Sequence, residues 1–208
     1  MNKSVEKYRD EIKKILDEYY ELLRIYDKYL IQVLDYVEIP EGMFTGEVDT
    51  GYNETLRTWK MIPSDVTEED ISEFEKETGI RLPDALRAYY TSYYHLWECD
   101  SNIPENSPIN KMSGLREDYD ELLVNFGYIP LTWDGQGAWL FCMKVDENNQ
   151  DFGIYWIDHE ELFAFKPETV TAQDIEKAMD FQAENFCEYL YNETVGMMKY
   201  RLENGFYK

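Results

Sequence analysis

Apolar and aromatic side chains recur every three or four positions in the first part of the chain. The repeat runs through residues 4–38, and this spacing predicts one long amphipathic helix. Pro40 and Gly42 follow, and both residue types stop helices. We therefore predict an N-terminal amphipathic helix within residues 1–40. Residues 41–63 contain three glycines and no clear period, which indicates a connecting segment.

The apolar stripe of this helix needs a surface to cover it. A second copy of the chain could do so in a coiled coil, which would make a homodimer. Tyrosine occupies many positions of the stripe, however, and packs poorly in a coiled-coil seam. Docking onto the protein's own helices is therefore favoured, and a homodimer through the N-terminal helix stays the alternative.

Two helices are predicted at the start of the remaining segment, residues 64–208, which we treat as one domain. Thr67 and Asp70 form a capping-box signature, and the acidic first turn suits the helix dipole. Gly79 lies where a glycine after the helix C-terminus is expected. Pro83 then opens a second helix, PDALRAYYTSYYHLW, with a tyrosine-rich buried side.

Strand patterns follow in the second half of the chain. Short apolar or aromatic runs between turn residues predict strands at Tyr128–Leu131, Trp139–Lys144 and Phe152–Ile157. The last two runs lack polar alternation, so we expect cover on both of their faces. The run LFAF at 162–165 is a candidate edge strand. Helices are predicted to fill residues 172–203.

Acidic residues dominate the chain and are unevenly placed. The formal net charge is −23, and residues 64–193 hold 29 Asp or Glu against 8 Lys or Arg, a net −21. Such a field repels nucleic acid and anionic membranes, and it attracts basic partners. Many soluble proteins are acidic only to stay dispersed, so charge alone leaves both interpretations open. We predict no nucleic-acid partner and no membrane partner.

The sequence also indicates a compartment. The start, MNKSVEKYRDEIKK, is charged and has no apolar signal-peptide core. No stretch approaches the ~18 unbroken apolar residues that a membrane helix requires. Cys99, Cys142 and Cys187 are odd in number and far apart. We therefore expect reduced thiols and a cytoplasmic protein.

The stretch TWDGQGAWLFCM, residues 132–143, contains a glycine-rich segment between two tryptophans. A phosphate-binding loop needs backbone N–H groups at a helix N-terminus, usually beside a Lys or Ser/Thr. Here an apolar strand follows the glycines. The Asp134-Gly135 pair is a turn signal, and Gly137 fits a bulge or a close backbone approach. We interpret the segment as a turn.

Metal and catalytic patterns are weak. His95 and His159 are the only histidines, and neither has a second ligand at a metal-binding spacing. Cys142 lies within a predicted strand, where thiols are usually inert. With 43 acidic residues, close carboxylate pairs are expected by chance. We predict no metal, no cofactor, no catalytic residue and no enzymatic activity.

Several segments, taken in order, resemble the SMI1/KNR4 family, also called SUKH. The acidic helix, the Leu-Pro junction and the tyrosine helix appear as TEEDISEFEKETGIRLPDALRAYY. The strands and the glycine turn appear as YIPLTWDGQGAWLFCM and GIYWIDHE, and a closing helix contains ENFCEYL. The resemblance covers residues 67–193, and the Leu82-Pro83 junction and DGQG are its most specific parts.

This resemblance implies an α+β fold in which helices flank a small, mainly antiparallel sheet. It also implies a binding role, because bacterial members are immunity proteins that neutralise polymorphic toxins, often nucleases. We expect a basic protein partner, held by exposed aromatic side chains within an acidic surface. The candidate contact residues are Trp97, Glu98, Asp100, Trp133, Asp134 and Gln136. Core packing is the competing role for tryptophans, and it is favoured more for Trp139 than for Trp133.

Two other functions remain open. The chain could be a cytoplasmic scaffold or regulator that uses its N-terminal helix to bind a helical partner or itself. It could also be an unrecognised hydrolase, which predicts a deep pocket that holds a carboxylate with a shifted pKa.

Overall fold

The computed structural model describes residues 3–50, 54–97, 102–146, 148 and 150–207. The protein has the α+β architecture that the resemblance implies. Its helices are α1 (Lys3–Tyr26), α2 (Glu68–Thr78), α3 (Asp84–Tyr90), α4 (Ser113–Glu117), α5 (Glu121–Asn125), α6 (His159–Ala164), α7 (Ala172–Ala178), α8 (Phe186–Tyr191) and α9 (Met197–Glu203). Its strands are β1 (Gln32–Leu34), β2 (Phe44–Asp49), β3 (Leu56–Trp59), β4 (Ile62–Pro63), β5 (Tyr93–Tyr94), β6 (Tyr128–Trp133), β7 (Trp139–Val145), β8 (Asp151–Asp158) and β9 (Asp180–Ala183).

The N-terminal helix is shorter than its apolar spacing predicts. α1 ends at Tyr26, so the prediction of helix through residue 38 is wrong beyond that point. Lys28–Ile31 form a 3-10 helix, and β1 follows directly. The Asp27 carboxylate lies at the break, where it accepts a hydrogen bond from the Tyr207 hydroxyl at 2.8 Å. Strand pairing and this distant contact override the local helical periodicity.

The segment predicted as an irregular connection, residues 41–63, contains strands. β1, β3 and β2 form an antiparallel sheet in that order, and β4 pairs with β5. Trp59, at the end of β3, is fully buried, and its carbonyl oxygen accepts the Tyr20 hydroxyl at 2.8 Å. Residues 41–63 show no clear apolar period because β2 is an exposed edge strand, and its register against β3 shifts between Phe44 and Val48.

The apolar stripe of α1 is covered within the same chain. Its buried residues are Val5, Ile12, Ile15, Leu16, Tyr19 and Leu23. The helix packs against α3, α8 and the π-helical turn Asn192–Gly196, so this stripe lies inside the protein's own core. Among the helices that the structure describes, none is long and apolar enough to cross a bilayer.

The main sheet is antiparallel, with the strand order β6-β7-β8-β9. Phe141 and Met143 of β7 face the large core that includes α1, α3 and α8. Leu140 and Cys142 face a second core, to which α5, α6 and α7 contribute. The expected cover on both faces of the central strands is therefore confirmed.

Two predictions about the last third of the chain are wrong. Residues 162–165 are not an edge strand, because the Asp158 side chain accepts a hydrogen bond from the Glu160 backbone N–H and caps α6. β9 is an edge strand of the main sheet, and it lies within residues 172–203, which were predicted to be filled by helices. Pairing with β8 stabilises β9, and local propensity does not reveal such a distant partner.

The predicted capping devices are present. Thr67 and Asp70 form a capping box at the start of α2, and Gly79 ends this helix with a φ of +73°. The Glu75 carboxylate then accepts the Leu82 backbone N–H at 2.8 Å and a hydrogen bond from the Arg87 guanidinium. These contacts fix the turn into α3 and place its tyrosines in the core.

A buried polar cluster lies next to α3. The Tyr89 hydroxyl donates a hydrogen bond to the Pro104 carbonyl oxygen and contacts Nε2 of His95 at 2.7 Å. Because the hydroxyl proton is committed to Pro104, Nε2 of His95 is the donor in this pair. Burial lowers the pKa of His95 to about 3. This side chain is therefore neutral in the folded protein at physiological pH.

The pKa of His95 predicts a loss of stability in acid. Its folded value, about 3, lies below the ordinary value of 6.5, so the unfolded chain binds the proton first. The contribution is complete above pH 6.5 and decreases as the pH falls towards 3. Because of this histidine, we expect the unfolding free energy to decrease by about 2 kcal/mol when the pH falls from 7 to 5. Urea denaturation of the wild type and His95→Gln at both pH values measures it, and equal losses would contradict the prediction.

The close approach of β8 and β9 predicts a second effect. Gly153 has a φ of +106°, and a Cβ there would lie 2.9 Å from the Ala183 carbonyl oxygen. We expect Gly153→Ala to cost about 3 kcal/mol of unfolding free energy, since it adds a backbone clash to an unfavourable φ. Gly46→Ala is the control, because Gly46 has a φ of +89° and open space around it. Equal destabilisation of the two variants in urea would rule out the contribution of the clash.

Candidate functional site

The DGQG segment is a turn between β6 and β7. Oδ1 of Asp134 accepts the backbone N–H groups of Ala138 at 2.6 Å and Trp139 at 3.0 Å. Gly137 has a φ of +68°, and its N–H donates to the Asp134 carbonyl oxygen. The protein's own carboxylate thus occupies these amides, and a strand follows the turn. The interpretation as a turn is confirmed.

Aromatic side chains surround this turn on both faces of the sheet. Trp133 belongs to the face of the second core, and its ring centroid lies 6.4 Å from that of Phe163. Trp139 lies on the face of the large core, 4.9 Å from Trp156. Phe163 is 73% exposed and Trp139 is 42% exposed. The end of the hairpin therefore presents apolar surface that no described part of the chain covers.

The junction between β8 and α6 adds negative charge beside these rings. The His159 backbone N–H donates to the Ala138 carbonyl oxygen at 2.9 Å, which places the start of α6 against the turn. Glu160 and Glu161 in the first turn of α6 are exposed. Within the described ranges, neither glutamate forms an ion pair. Both carboxylates are therefore available to a cationic partner.

We define the hairpin-end surface as Trp133, Gln136, Trp139, Glu160 and Phe163. Gln136 is exposed in the turn, and Trp133 is half-buried. These side chains come from the turn end of the β6–β7 hairpin and from α6, the helix that follows β8. Large exposed aromatic groups beside unpaired acidic groups are the chemistry of a protein-binding surface.

The predicted contact residues do not all belong to this surface. Trp133 and Gln136 do, and Asp134 contributes by holding the turn. Trp97 is 3% exposed, so its placement on the contact surface is wrong. Its ring packs against Tyr19 and Trp59 at 4.8 and 5.4 Å, which both come from the segment that the sequence pattern separates from the domain.

Two predicted contact residues, Glu98 and Asp100, lie outside the described residues. The expectation that core packing is favoured more for Trp139 than for Trp133 is wrong, because Trp139 is exposed and Trp133 is half-buried. Trp139 is the first residue of β7 and lies at the end of the sheet, beyond the cover of the helices.

Sequence reasoning missed Phe163, since LFAF was interpreted as a strand. A local signal for this residue did exist in the preceding segment. Asp158 followed by Glu160 and Glu161 is the pattern of a capped helix start, and a helix would separate buried Leu162 from exposed Phe163.

A cleft of about 850 Å³ lies between α1, the α2–α3 junction and the β7–β8 loop. Burial raises the pKa of its Asp151 carboxyl, which meets one expectation for a hydrolase. Both oxygens of this carboxylate, however, accept backbone N–H groups, from Gly153 at 3.0 Å and Phe186 at 2.7 Å. The lining residues that are described include no histidine or cysteine. Asp151 thus ties β8 to α8.

The described cysteines are poor nucleophiles. Cys142 lies in β7 and is fully buried, and burial raises its pKa well above the usual range. Burial also raises the pKa of Cys187 to about 12. Both thiols are therefore protonated at neutral pH, as expected of core cysteines. In the described ranges, no three His, Cys, Asp or Glu side chains are arranged to hold a metal ion.

Comparison with known proteins identifies the family. The family model described as SMI1 / KNR4 family (SUKH-1) matches residues 65–192, more than half of the chain. This range begins before α2 and ends after α8, so it includes the main sheet and the hairpin-end surface. A search of curated proteins found no match to the chain. On the family match, the chain belongs to the SMI1/KNR4 (SUKH-1) family.

Proposed function

We propose that this protein is a cytoplasmic immunity protein that binds a cationic, nuclease-type toxin through the hairpin-end surface. The SMI1/KNR4 family supports a binding or immunity-type role. The observation that carries the proposal is the pair of exposed aromatic residues, Trp139 and Phe163, beside the unpaired glutamates of α6. The proposed activity is neutralisation by direct contact, without catalysis.

The aromatic residues would supply most of the affinity. Interfaces are dominated by a few large side chains that bury apolar area when the partner docks. Phe163 and Trp139 are on opposite faces of the sheet end, so a partner that covers both would grip the hairpin from two sides. β7 and α6 are held by the second core, and a rigid platform loses little conformational entropy on binding.

The acidic residues would select the partner and speed its capture. Residues 64–193 have a net charge of −21, and such a field raises the association rate of a basic protein. Six of the 29 acidic residues lie in the first turns of α2, α5 and α6, and the others are spread along the rest of the domain. The field therefore acts over the whole domain, whereas Glu160 and Glu161 would act at the contact itself.

Binding is the better proposal than catalysis on the geometry of the cleft. A hydrolase would use Asp151 as an acid or base, yet its oxygens already accept two backbone N–H groups. Substitution of Asp151 would therefore lower the stability of the fold, because it removes both of these hydrogen bonds. By contrast, no packing role in the described part of the chain explains why Trp139 and Phe163 are exposed.

A scaffold or regulatory role is the second candidate. It is favoured by exposed residues near the N-terminus, namely Tyr29 (71%), Tyr36 (78%) and Val48 (57%). Because the stripe of α1 is covered, this role would use the surface around β1 and β2. Loss of self-association in Tyr29→Ala with Tyr36→Ala, with toxin protection intact, would assign that surface to assembly.

The proposal predicts a large effect of removing the exposed rings. We expect Trp139→Ala with Phe163→Ala to weaken binding of the toxin encoded by the adjacent gene about 100-fold, since each ring is a hot-spot side chain. Phe206→Ala is the matched control, because Phe206 is 70% exposed near the C-terminus. Calorimetry gives the affinities, and survival of cells that co-express the toxin gives the function. Full protection by the double variant would refute the assignment of this surface.

Electrostatic capture predicts a dependence on salt. We expect the association rate to fall about tenfold or more between 20 and 300 mM NaCl, with a much smaller change in the dissociation rate. Glu160→Gln with Glu161→Gln should flatten this dependence. Stopped-flow fluorescence of the toxin complex measures both rates, and an association rate that salt does not change would contradict steering by charge.

A further inference from the structure

Phe163 is the most exposed ring of the hairpin-end surface. Its side chain is 73% exposed, although two neighbouring rings fix its position. The ring centroid of Trp133 lies 6.4 Å away, and that of His159 lies 6.2 Å away. Glu160 precedes Phe163 by three positions in α6, and residues three apart are neighbours on a helix surface. An open ring and an exposed carboxylate therefore lie side by side.

A pair of the same residue types at the same spacing holds an arginine near the N-terminus. Glu41 and Phe44 are also three positions apart. The guanidinium carbon of Arg57 lies 3.2 Å from the Phe44 ring centroid, and its Nη2 atom lies 3.1 Å from Oε1 of Glu41. The arginine thus contacts the ring and the carboxylate at once.

A second such pair occurs on α2. Phe74 and Glu77 are three positions apart on this helix. The guanidinium carbon of Arg116 lies 5.4 Å from the Phe74 ring centroid, and its Nε atom lies 3.0 Å from Oε2 of Glu77. Two phenylalanine–glutamate pairs of this chain therefore bind an arginine of the same chain. Among the described contacts between cations and rings, none involves Phe163.

The segments around Phe163 contain no Lys or Arg. Residues 128–143 and 152–165 contain four acidic residues, which are Asp134, Asp158, Glu160 and Glu161. Lys144, which follows the first segment, pairs with Glu176 at 3.0 Å. Lys166 follows α6, but it lines the groove between α6 and α7, whose described lining does not include Phe163. The local charge therefore favours a cationic side chain at Phe163 over a neutral or acidic one.

We propose that Glu160 and Phe163 bind an arginine side chain of the partner protein. Its guanidinium would lie over the Phe163 ring and pair with the Glu160 carboxylate, as Arg57 does with Phe44 and Glu41. This inference rests on the proposed function, and it names the residue type that the hairpin-end surface takes from a cationic partner. A planar guanidinium can stack on a ring and bond a carboxylate together, whereas an ammonium group is a strongly hydrated point charge. Lysine is therefore the poorer occupant.

Replacement of the ring by an aliphatic side chain tests this contact. Phe163→Leu keeps an apolar group at this position and removes the aromatic face, so we expect it to weaken binding of the toxin encoded by the adjacent gene about tenfold. Phe163→Tyr keeps the ring and should stay within about twofold of the wild type. Phe206→Leu is the matched control, because Phe206 is 70% exposed near the C-terminus. Calorimetry measures the four affinities.

Chemical modification identifies the occupant. Phenylglyoxal reacts with accessible arginine side chains, and mass spectrometry locates the modified residues of the toxin. The toxin is modified alone, in complex with the wild type and in complex with Phe163→Leu at saturating concentration. We expect one toxin arginine that the wild type protects and the leucine variant protects less.

Two outcomes would overturn the inference and leave the proposed function in place. One is wild-type affinity of Phe163→Leu while Trp139→Ala with Phe163→Ala loses binding, because the site would then need only apolar area. The other is a tight complex in which no toxin arginine is protected. Full affinity of the double alanine variant would instead show that both the inference and the proposed surface are wrong.

Discussion

The packing of Trp97 is the contact on which the rest of the structure depends. Its ring lies 4.8 Å from Tyr19 of α1, 5.4 Å from Trp59 of β3 and 4.9 Å from His95. Three distant parts of the chain thus share one buried aromatic cluster. Because aromatic contacts of this kind bury large apolar areas, the N-terminal segment packs into the same core as the matched family region. The stripe of α1 and Trp97 are consequently unavailable to outside partners.

This cluster continues to the hairpin-end surface through aromatic contacts. The contacts run from His95 to Tyr89, Phe186, Tyr189 and finally Phe141 of β7, at centroid distances of 5.8, 5.2, 6.2 and 5.6 Å. β7 begins at Trp139, so the strand that is fixed on one side by this core ends in an exposed ring. The second core holds α6 on the opposite face. Rigid support on both faces is what makes a small exposed surface suitable for binding.

The local features of the fold were readable from the sequence because they depend on neighbouring residues. A capping box requires two side chains three residues apart, as in Thr67 and Asp70, and a turn requires the conformational freedom of glycine, as in DGQG. The apolar runs of β7 and β8 likewise indicate burial on both faces. The resemblance, carried by such segments in order, led to the family and to the α+β fold. Of the candidate site, it also located Trp133 and Gln136 at the turn.

The features that sequence reasoning missed depend on distant partners. β1, β2, β3 and β9 exist because other strands pair with them, and β-structure is decided by such pairing more than by local propensity. The exposure of a tryptophan depends on what packs over it, which is why Trp97 and Trp139 exchanged their expected roles. The sequence by itself determined the family, the acidic charge and the hairpin turn. The tertiary structure decided which aromatic residues are exposed, because exposure depends on contacts between segments far apart in the chain.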